Sequence, residues 1–102
     1  MAAAEVLAPG VTAASSSDIV VAAPTLLCLK GSAENVQPGP QAQVVVELKD
    51  EDSLYWPIGC LTGVGPISML LEAAATYRVT RRAANAGYGG KASDFNCGVF
   101  TG

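Results

Sequence analysis

The sequence predicts an all-β fold: a single antiparallel β-sandwich or jelly-roll-like domain of about seven short strands, with an extended N-terminal arm. Short runs of β-branched and other apolar residues recur along the chain, and turns that contain Gly or Pro separate them. This spacing of strands and turns is typical of two-sheet antiparallel domains. The segment richest in helix-forming residues lies between Pro66 and Thr76, and it is too short to form a stable isolated helix.

The first predicted strands lie on either side of Pro24. Residues 18–22 are short and β-branched, and residues 25–29 continue after the proline. Residues 31–40 contain a Pro-Gly-Pro sequence and are predicted to be a loop. Residues 43–49 include three consecutive valines and carry the strongest strand signal of the chain.

A hairpin is predicted where residues 54–61 return along residues 43–49. The acidic segment 50–53 forms the turn between the two strands. Pro57 has no amide hydrogen to donate to a ladder, so the returning strand is expected to lie at a sheet edge or to carry a bulge there.

Strand, turn and strand are predicted for residues 67–71 and 76–81. In the second strand Tyr77, Val79 and Arg81 are expected to share one face, because side chains alternate along a strand. The chain then continues through a Gly-rich loop to a last predicted strand. That loop spans residues 83–93 and the strand residues 95–101.

The N-terminal segment, residues 1–17, is predicted to be an arm outside the folded domain, which comprises residues 18–102. The segment is rich in Ala and Ser, and Pro9-Gly10 interrupts any helix. Ordering such a segment costs about 1 to 2 kcal/mol per residue in backbone entropy, so we expect another subunit to hold it. The candidate contact residues of the arm are Val6, Leu7, Pro9 and Val11.

The composition argues against several classes of function. The chain has no His and a net charge of −3, so it lacks the commonest general base and metal ligand and has no basic footprint for nucleic acid. The uncharged stretch 19–29 is shorter than the roughly 20 residues that cross a bilayer, and the N-terminus has no signal-peptide pattern. We expect no enzymatic activity and no catalytic residue, cofactor, metal site, nucleic acid or membrane partner.

Three cysteines, Cys28, Cys60 and Cys97, lie far apart in predicted strands. An odd number without short spacing fits neither a disulfide framework nor a zinc site. We expect them to be reduced and to serve as small buried hydrophobic residues.

The remaining candidate contacts are aromatic and basic. Tyr55 and Trp56 adjoin the acidic turn, which we interpret as solvated rather than as an ion site, and an aromatic pair beside a turn can anchor a partner or stack on a sugar. Basic residues suit the rim of a contact between unlike surfaces. The basic candidates are Arg78, Arg81 and Arg82, and the Gly-rich loop adds Tyr88.

Four phrases of the sequence carry a resemblance to the small accessory virion proteins of tailed bacteriophages. They are VLAPGVTAASSSDIVVAA, VVVELKDEDSLYWPIG, LEAAATYRVTR and GVFTG. The resemblance implies a β-sandwich or jelly-roll domain that decorates or cements a capsid, or that sits on a tail.

The function expected from this resemblance is structural and non-enzymatic. The partner is expected to be the major capsid protein or another virion protein, with the chain acting as a homotrimer or homodimer. Its location is then the virion, assembled in the host cytoplasm. The alternative is a tail- or fibre-associated module that binds a host surface glycan, or an adaptor at the tail, and it would use Tyr55, Trp56 and Tyr88.

Overall fold

The structure, a computed structural model, describes residues 3–83 and 91–102. Within these residues the chain forms nine β-strands and a short 3-10 turn at Ala92–Phe95. The strands are β1 (Ala4–Gly10), β2 (Ala14–Ser15), β3 (Ile19–Val21), β4 (Thr25–Lys30), β5 (Gln43–Lys49), β6 (Tyr55–Thr62), β7 (Ser68–Leu71), β8 (Ala75–Arg81) and β9 (Cys97–Thr101).

The strands form two antiparallel sheets. The first sheet has the order β1-β9-β4-β7. The second has the order β2-β8-β5-β6, and β3 also pairs with β8. The chain passes repeatedly from one sheet to the other, so neighbouring strands in each sheet are mostly distant in sequence. This arrangement confirms the predicted all-β class with two antiparallel sheets and is β-sandwich-like.

A common apolar core joins the two sheets because alternate residues of the central strands point inward. Leu27 and Leu29 come from β4, Val44 and Val46 from β5, and Val79 from β8. All five are at least nine-tenths buried. Burial of side chains of this size contributes about 1.5–3 kcal/mol each, so the inward faces of these strands supply most of the stabilising contacts.

The structure corrects the predicted division of the chain at residue 17. β1 pairs with β9 from Ala4↔Thr101 to Gly10↔Cys97, and β2 pairs with the end of β8. The described part of the predicted arm therefore lies in this chain's own sheets. Two irregularities in the register of β1 and its Ala-rich composition explain why no strand pattern is visible in its sequence.

Gly98 allows β1 to approach β9 closely. A β-carbon at this position would lie 2.8 Å from both the Leu7 carbonyl oxygen and the Pro9 nitrogen. No other residue type leaves that space.

The predicted edge or bulge at Pro57 is confirmed, and both features are present. Within residues 3–83 and 91–102, β6 pairs only with β5 and forms the edge of its sheet. Val46 lies opposite Gly59 and Glu47 opposite Pro57, so Ile58 is the extra residue of a bulge. The strand–turn–strand prediction for residues 67–81 is also confirmed. No helix in the described ranges is long and apolar enough to span a bilayer.

Candidate interaction surface

The end of the β5–β6 hairpin displays apolar side chains along β6, which has no second strand partner among residues 3–83 and 91–102. Leu54 is 54% exposed, Trp56 57% and Ile58 45%. We call these three residues the hairpin edge. Trp56 lies opposite Leu48 in the ladder, and paired residues point to the same face of a sheet. Trp56 therefore belongs to the inner face of its sheet, but it lies beyond the part of the core that the opposite sheet covers.

The Asp50 carboxylate organises the turn at the tip of the hairpin. Its Oδ1 accepts hydrogen bonds from the backbone amides of Asp52 at 2.8 Å and Leu54 at 2.9 Å. Its Oδ2 accepts a hydrogen bond from the indole Nε1 of Trp56 at 2.7 Å. Ser53 adopts a left-handed conformation with φ 62°, which closes the loop. One carboxylate thus fixes both the backbone of the turn and the orientation of the tryptophan.

These bonds favour the charged form of Asp50. The Trp56 indole lowers the pKa of the Asp50 carboxyl most, followed by the Leu54 amide. Glu51 and Asp52 lie beside it, and one carboxylate oxygen from each of the three residues lies within 4.8 Å of the others. The tip of the hairpin therefore carries three negative charges in a small volume, next to the exposed indole.

The outer face of the same hairpin is polar and internally bonded. The Arg78 guanidinium stacks over the Tyr55 ring at 3.7 Å from its centroid. It also donates to both carboxylate oxygens of Glu47, from Nε at 3.1 Å and Nη2 at 3.2 Å. Thr80 donates a further hydrogen bond to Glu47 at 2.6 Å. The Arg78 bonds are the main cause of the lowered pKa of Glu47 and of the raised pKa of Arg78 itself.

Asp18 connects this face to the segment between β2 and β3. It accepts hydrogen bonds from the Tyr55 hydroxyl and, at 2.9 Å, from Lys49 Nζ. These bonds lower the pKa of Asp18, chiefly through Tyr55, and raise the pKa values of Tyr55 and Lys49. The charged groups of the outer face therefore largely neutralise one another. Among the described hydrogen bonds and ion pairs, no side-chain cation contacts the carboxylates of Asp50, Glu51 and Asp52, which form the acidic tip of the hairpin.

The four contact residues predicted in the arm do not form one exposed surface. Leu7 is buried at 8% exposure and belongs to the core. Val6 packs partly against that core, and Pro9 and Val11 are half-buried. The prediction that Leu7 contacts a partner is wrong, because β1 is a strand of the first sheet and turns this side chain inward.

The predicted contact residue Arg81 is likewise an interior residue. It is 5% exposed and shares the inner face with Tyr77 and Val79, as the alternation predicted. Its Nη1 donates to the carbonyl oxygens of Ala8 at 2.7 Å and Cys97 at 2.8 Å, and its Nε donates to that of Thr12 at 2.7 Å. Arg81 therefore fastens the N-terminal segment to β8 and β9 and is not available to a partner.

The other basic and aromatic candidates lie in different places. Tyr55 and Arg78 meet on the outer face, and Trp56 lies on the opposite face of the same strand. Exposed Arg82 donates to the Gln43 side chain and lines a depression of about 330 Å³ together with Thr62 and Val64. Tyr88 lies outside the described residues.

Two members of the hairpin edge, Leu54 and Ile58, were not predicted from the sequence. Because the hairpin was predicted, the position of Leu54 two residues before Trp56 could have indicated a further exposed apolar side chain. The cross-strand pair Leu26 and Leu70, which are 42% and 51% exposed on the outside of the first sheet, was also not predicted. The buried residues of β4 and β7 occupy the alternate positions of each strand, so Leu26 and Leu70 point away from the core.

The cysteines are free thiols, as expected. Cys97 is buried, whereas Cys28 and Cys60 are half-buried, so full burial was correctly predicted for one of the three. Burial raises the pKa of Cys97, and it does the same for Cys28.

Comparison of the chain with models of protein families, with curated proteins and with solved structures finds no match.

Proposed function

We propose that this chain is a non-enzymatic structural protein of a virion that decorates or cements a capsid of the tailed-phage kind. The partner is the major capsid protein or another virion protein, and the chain acts as a homotrimer or homodimer with a jelly-roll-like connection of its strands. Because residues 4–15 lie in this chain's own sheets, the proposed contact is the hairpin edge rather than an arm.

One observation carries this proposal: an exposed tryptophan held in a fixed orientation at an unpaired strand edge. Trp56 is 57% exposed, and its indole is bonded to Asp50. Exposed tryptophans anchor interfaces because they bury a large area, and a side chain that is already ordered loses less entropy on binding. Leu54, just before β6, and Ile58 within it extend the exposed apolar area.

The test is sedimentation of the purified chain with virus particles assembled without it. The wild-type chain is expected to sediment with the particles, and Trp56→Ala is expected to raise the Kd for the particles at least tenfold, since interface tryptophans commonly contribute about 2 kcal/mol or more. Val20→Ser is the matched control, because Val20 is 77% exposed on β3, which β8 and β5 separate from β6. Equal binding of Trp56→Ala and the wild-type chain would contradict the proposal.

The second candidate function is binding of a host surface glycan at the tail. It is favoured by the position of the exposed indole of Trp56 beside the carboxylates of Glu51 and Asp52, because sugars stack on aromatic rings and donate hydroxyl hydrogen bonds to carboxylates. In this case Trp56→Ala abolishes adsorption to host cells but leaves incorporation into particles unchanged.

A further inference from the structure

We infer that β7 is the dimer interface of this chain. Its free edge pairs with β7 of a second copy about a two-fold axis, and this joins two four-stranded sheets into one of eight strands. The inference rests on the proposed function only for the expectation that the chain assembles with itself, and it concerns a surface other than the hairpin edge.

Three of the four sheet edges in the described ranges carry features that oppose pairing with another strand. β1 contains Pro9 and two shifts of register, and β6 contains Pro57 and a bulge. The edge beside β8 is divided between β2 and β3, which are only two and three residues long. By contrast, β7 contains no proline and no charged residue, and its register against β4 is regular. An edge of this kind can add a further strand.

The ladder between β7 and β4 directs the backbone groups of Ser68 and Leu70 toward the free edge. The Leu29 amide donates to the Ile67 carbonyl oxygen at 2.8 Å, so these two opposite residues form a hydrogen-bonded pair. Along an antiparallel ladder such pairs alternate with pairs that exchange no hydrogen bonds. The backbone groups of Met69 therefore point toward β4, and those of Ser68 and Leu70 point to the other side, where an antiparallel strand can bond to them.

Leu70 suits a position on the two-fold axis. Its backbone groups then bond to those of its own copy, and the two leucine side chains meet on the outer face. Because Leu26 lies opposite Leu70 in the ladder, this register makes a continuous row of four leucines across the joined sheet. Ser68 lies opposite Glu72 of the second copy, so the serine hydroxyl can donate to that carboxylate. No like charges oppose each other along these strands, and this favours a second copy as the occupant.

The other sheet adds apolar surface beside this edge. The terminal methyl group of Met69 would lie 2.7 Å from a β-carbon placed at Gly59, so β6 lies against β7 across the sandwich. Ile58, the residue before Gly59, is 45% exposed, and Ile67, just before β7, is 44% exposed. These side chains enlarge the apolar area around the paired edges, and a two-fold contact uses each of them twice.

Size-exclusion chromatography with light scattering on the purified full chain tests the interface. The wild-type chain is expected to have the mass of a dimer. Leu70→Lys and Leu70→Glu are each expected to raise the dimer Kd at least about tenfold, because each removes the leucine contact and places like charges opposite one another. Mixing the two variants is expected to restore the dimer, because the introduced charges are then opposite in sign.

Val20→Lys is the control, since it adds the same charge at a 77% exposed position on β3, at the far edge of the other sheet. It is expected to leave the dimer Kd within about twofold of wild type. Recovery of the dimer on mixing shows that both Leu70 variants fold. A monomeric or trimeric wild-type chain, a dimer that Leu70→Lys leaves intact, or a mixture that stays monomeric would overturn the inference.

These measurements use no virus particles, so they separate this inference from the proposed function. A chain that dimerises through β7 but does not sediment with particles supports the inference and refutes the proposed function. A chain that sediments with particles but stays monomeric supports the proposed capsid contact and overturns the inference.

Discussion

The Arg81 guanidinium is a buried charge held by carbonyl oxygens. Among the described residues, its hydrogen bonds go to Ala8, Thr12 and Cys97. Carbonyl dipoles compensate the charge in place of a carboxylate, and the cation in turn satisfies three acceptors. This arrangement connects β1 and the turn after it to the start of β9, so one side chain secures the N-terminal segment.

Replacing Arg81 with methionine tests this role. Methionine keeps much of the aliphatic volume but leaves three carbonyl groups without their donor, so Arg81→Met is expected to lower the free energy of unfolding by about 3 kcal/mol. Arg82→Met makes the same chemical change at the next, exposed residue and is expected to change it by less than about 0.5 kcal/mol. Urea denaturation followed by circular dichroism measures both. Equal stability of the two variants would show that the carbonyl contacts of Arg81 contribute little.

The Glu47–Arg78 pair predicts how stability depends on pH. Because Arg78 and Thr80 lower the pKa of Glu47 in the folded chain, the pair contributes its full stability above the unfolded pKa of about 4.3. That stability is lost as the pH falls through the lower, folded pKa. Asp18 and Asp50 have pKa values lowered in the same sense.

The urea midpoint is therefore expected to be lower at pH 3 than at pH 7. Glu47→Gln is expected to narrow this difference, because glutamine keeps the shape of the side chain but cannot titrate. Glu34→Gln, at an exposed loop position, serves as the control and is expected to leave the difference unchanged. A midpoint that does not depend on pH, or an equal response of the two variants, would contradict the assignment of the pKa shift to the Arg78 contact.

At the scale of the strand, the local pattern was informative where one face is buried. In β8, Tyr77, Val79 and Arg81 were predicted to share a face, and all three are buried there. The error lay in the role of Arg81, since its charge suggested a surface contact whereas its position in the alternation placed it inside. The alternation of side chains predicted the position of Arg81 better than its charge did. A shift of β8 by one residue in its pairing would expose Tyr77 and Val79 together with Arg81.

The N-terminal strand could not be recognised from its own residues. β1 buries a single fully interior side chain, Leu7, and its register against β9 is interrupted twice. Its position depends on a glycine almost at the other end of the chain, Gly98. Long-range complementarity of this kind leaves no periodic signal in the local sequence.

Substitution of Gly98 tests the packing of β1 on β9. The added methyl group of Gly98→Ala would lie 2.8 Å from backbone atoms of β1, so the strand must shift, at an expected cost of about 1–3 kcal/mol. Gly102→Ala is the matched control, because its added methyl group meets only Phe100, at 3.9 Å. Thermal unfolding compares the two variants. If Gly98→Ala is as stable as Gly102→Ala, β1 is not held closely against β9.

At the scale of the whole molecule, charge and apolar surface are divided between regions. The outer face of the second sheet has its carboxylates bonded to Arg78, Lys49 and Tyr55. The hairpin tip next to it combines three carboxylates with the exposed indole of Trp56. The position of Tyr55 and Trp56 beside an acidic turn could be predicted from the sequence. Their separation, with Tyr55 in the polar network of the outer face and Trp56 exposed at the sheet edge, could not be predicted, because it depends on how far the opposite sheet extends.

Hydrogen–deuterium exchange of the chain, free and bound to virus particles assembled without it, tests most directly whether the hairpin edge is the contact surface. The expected result is slower exchange on binding over residues 50–60, with little change in β1 and at the Leu26–Leu70 pair. Protection of β1 or of that pair, with residues 50–60 unchanged, would place the contact elsewhere and contradict this account.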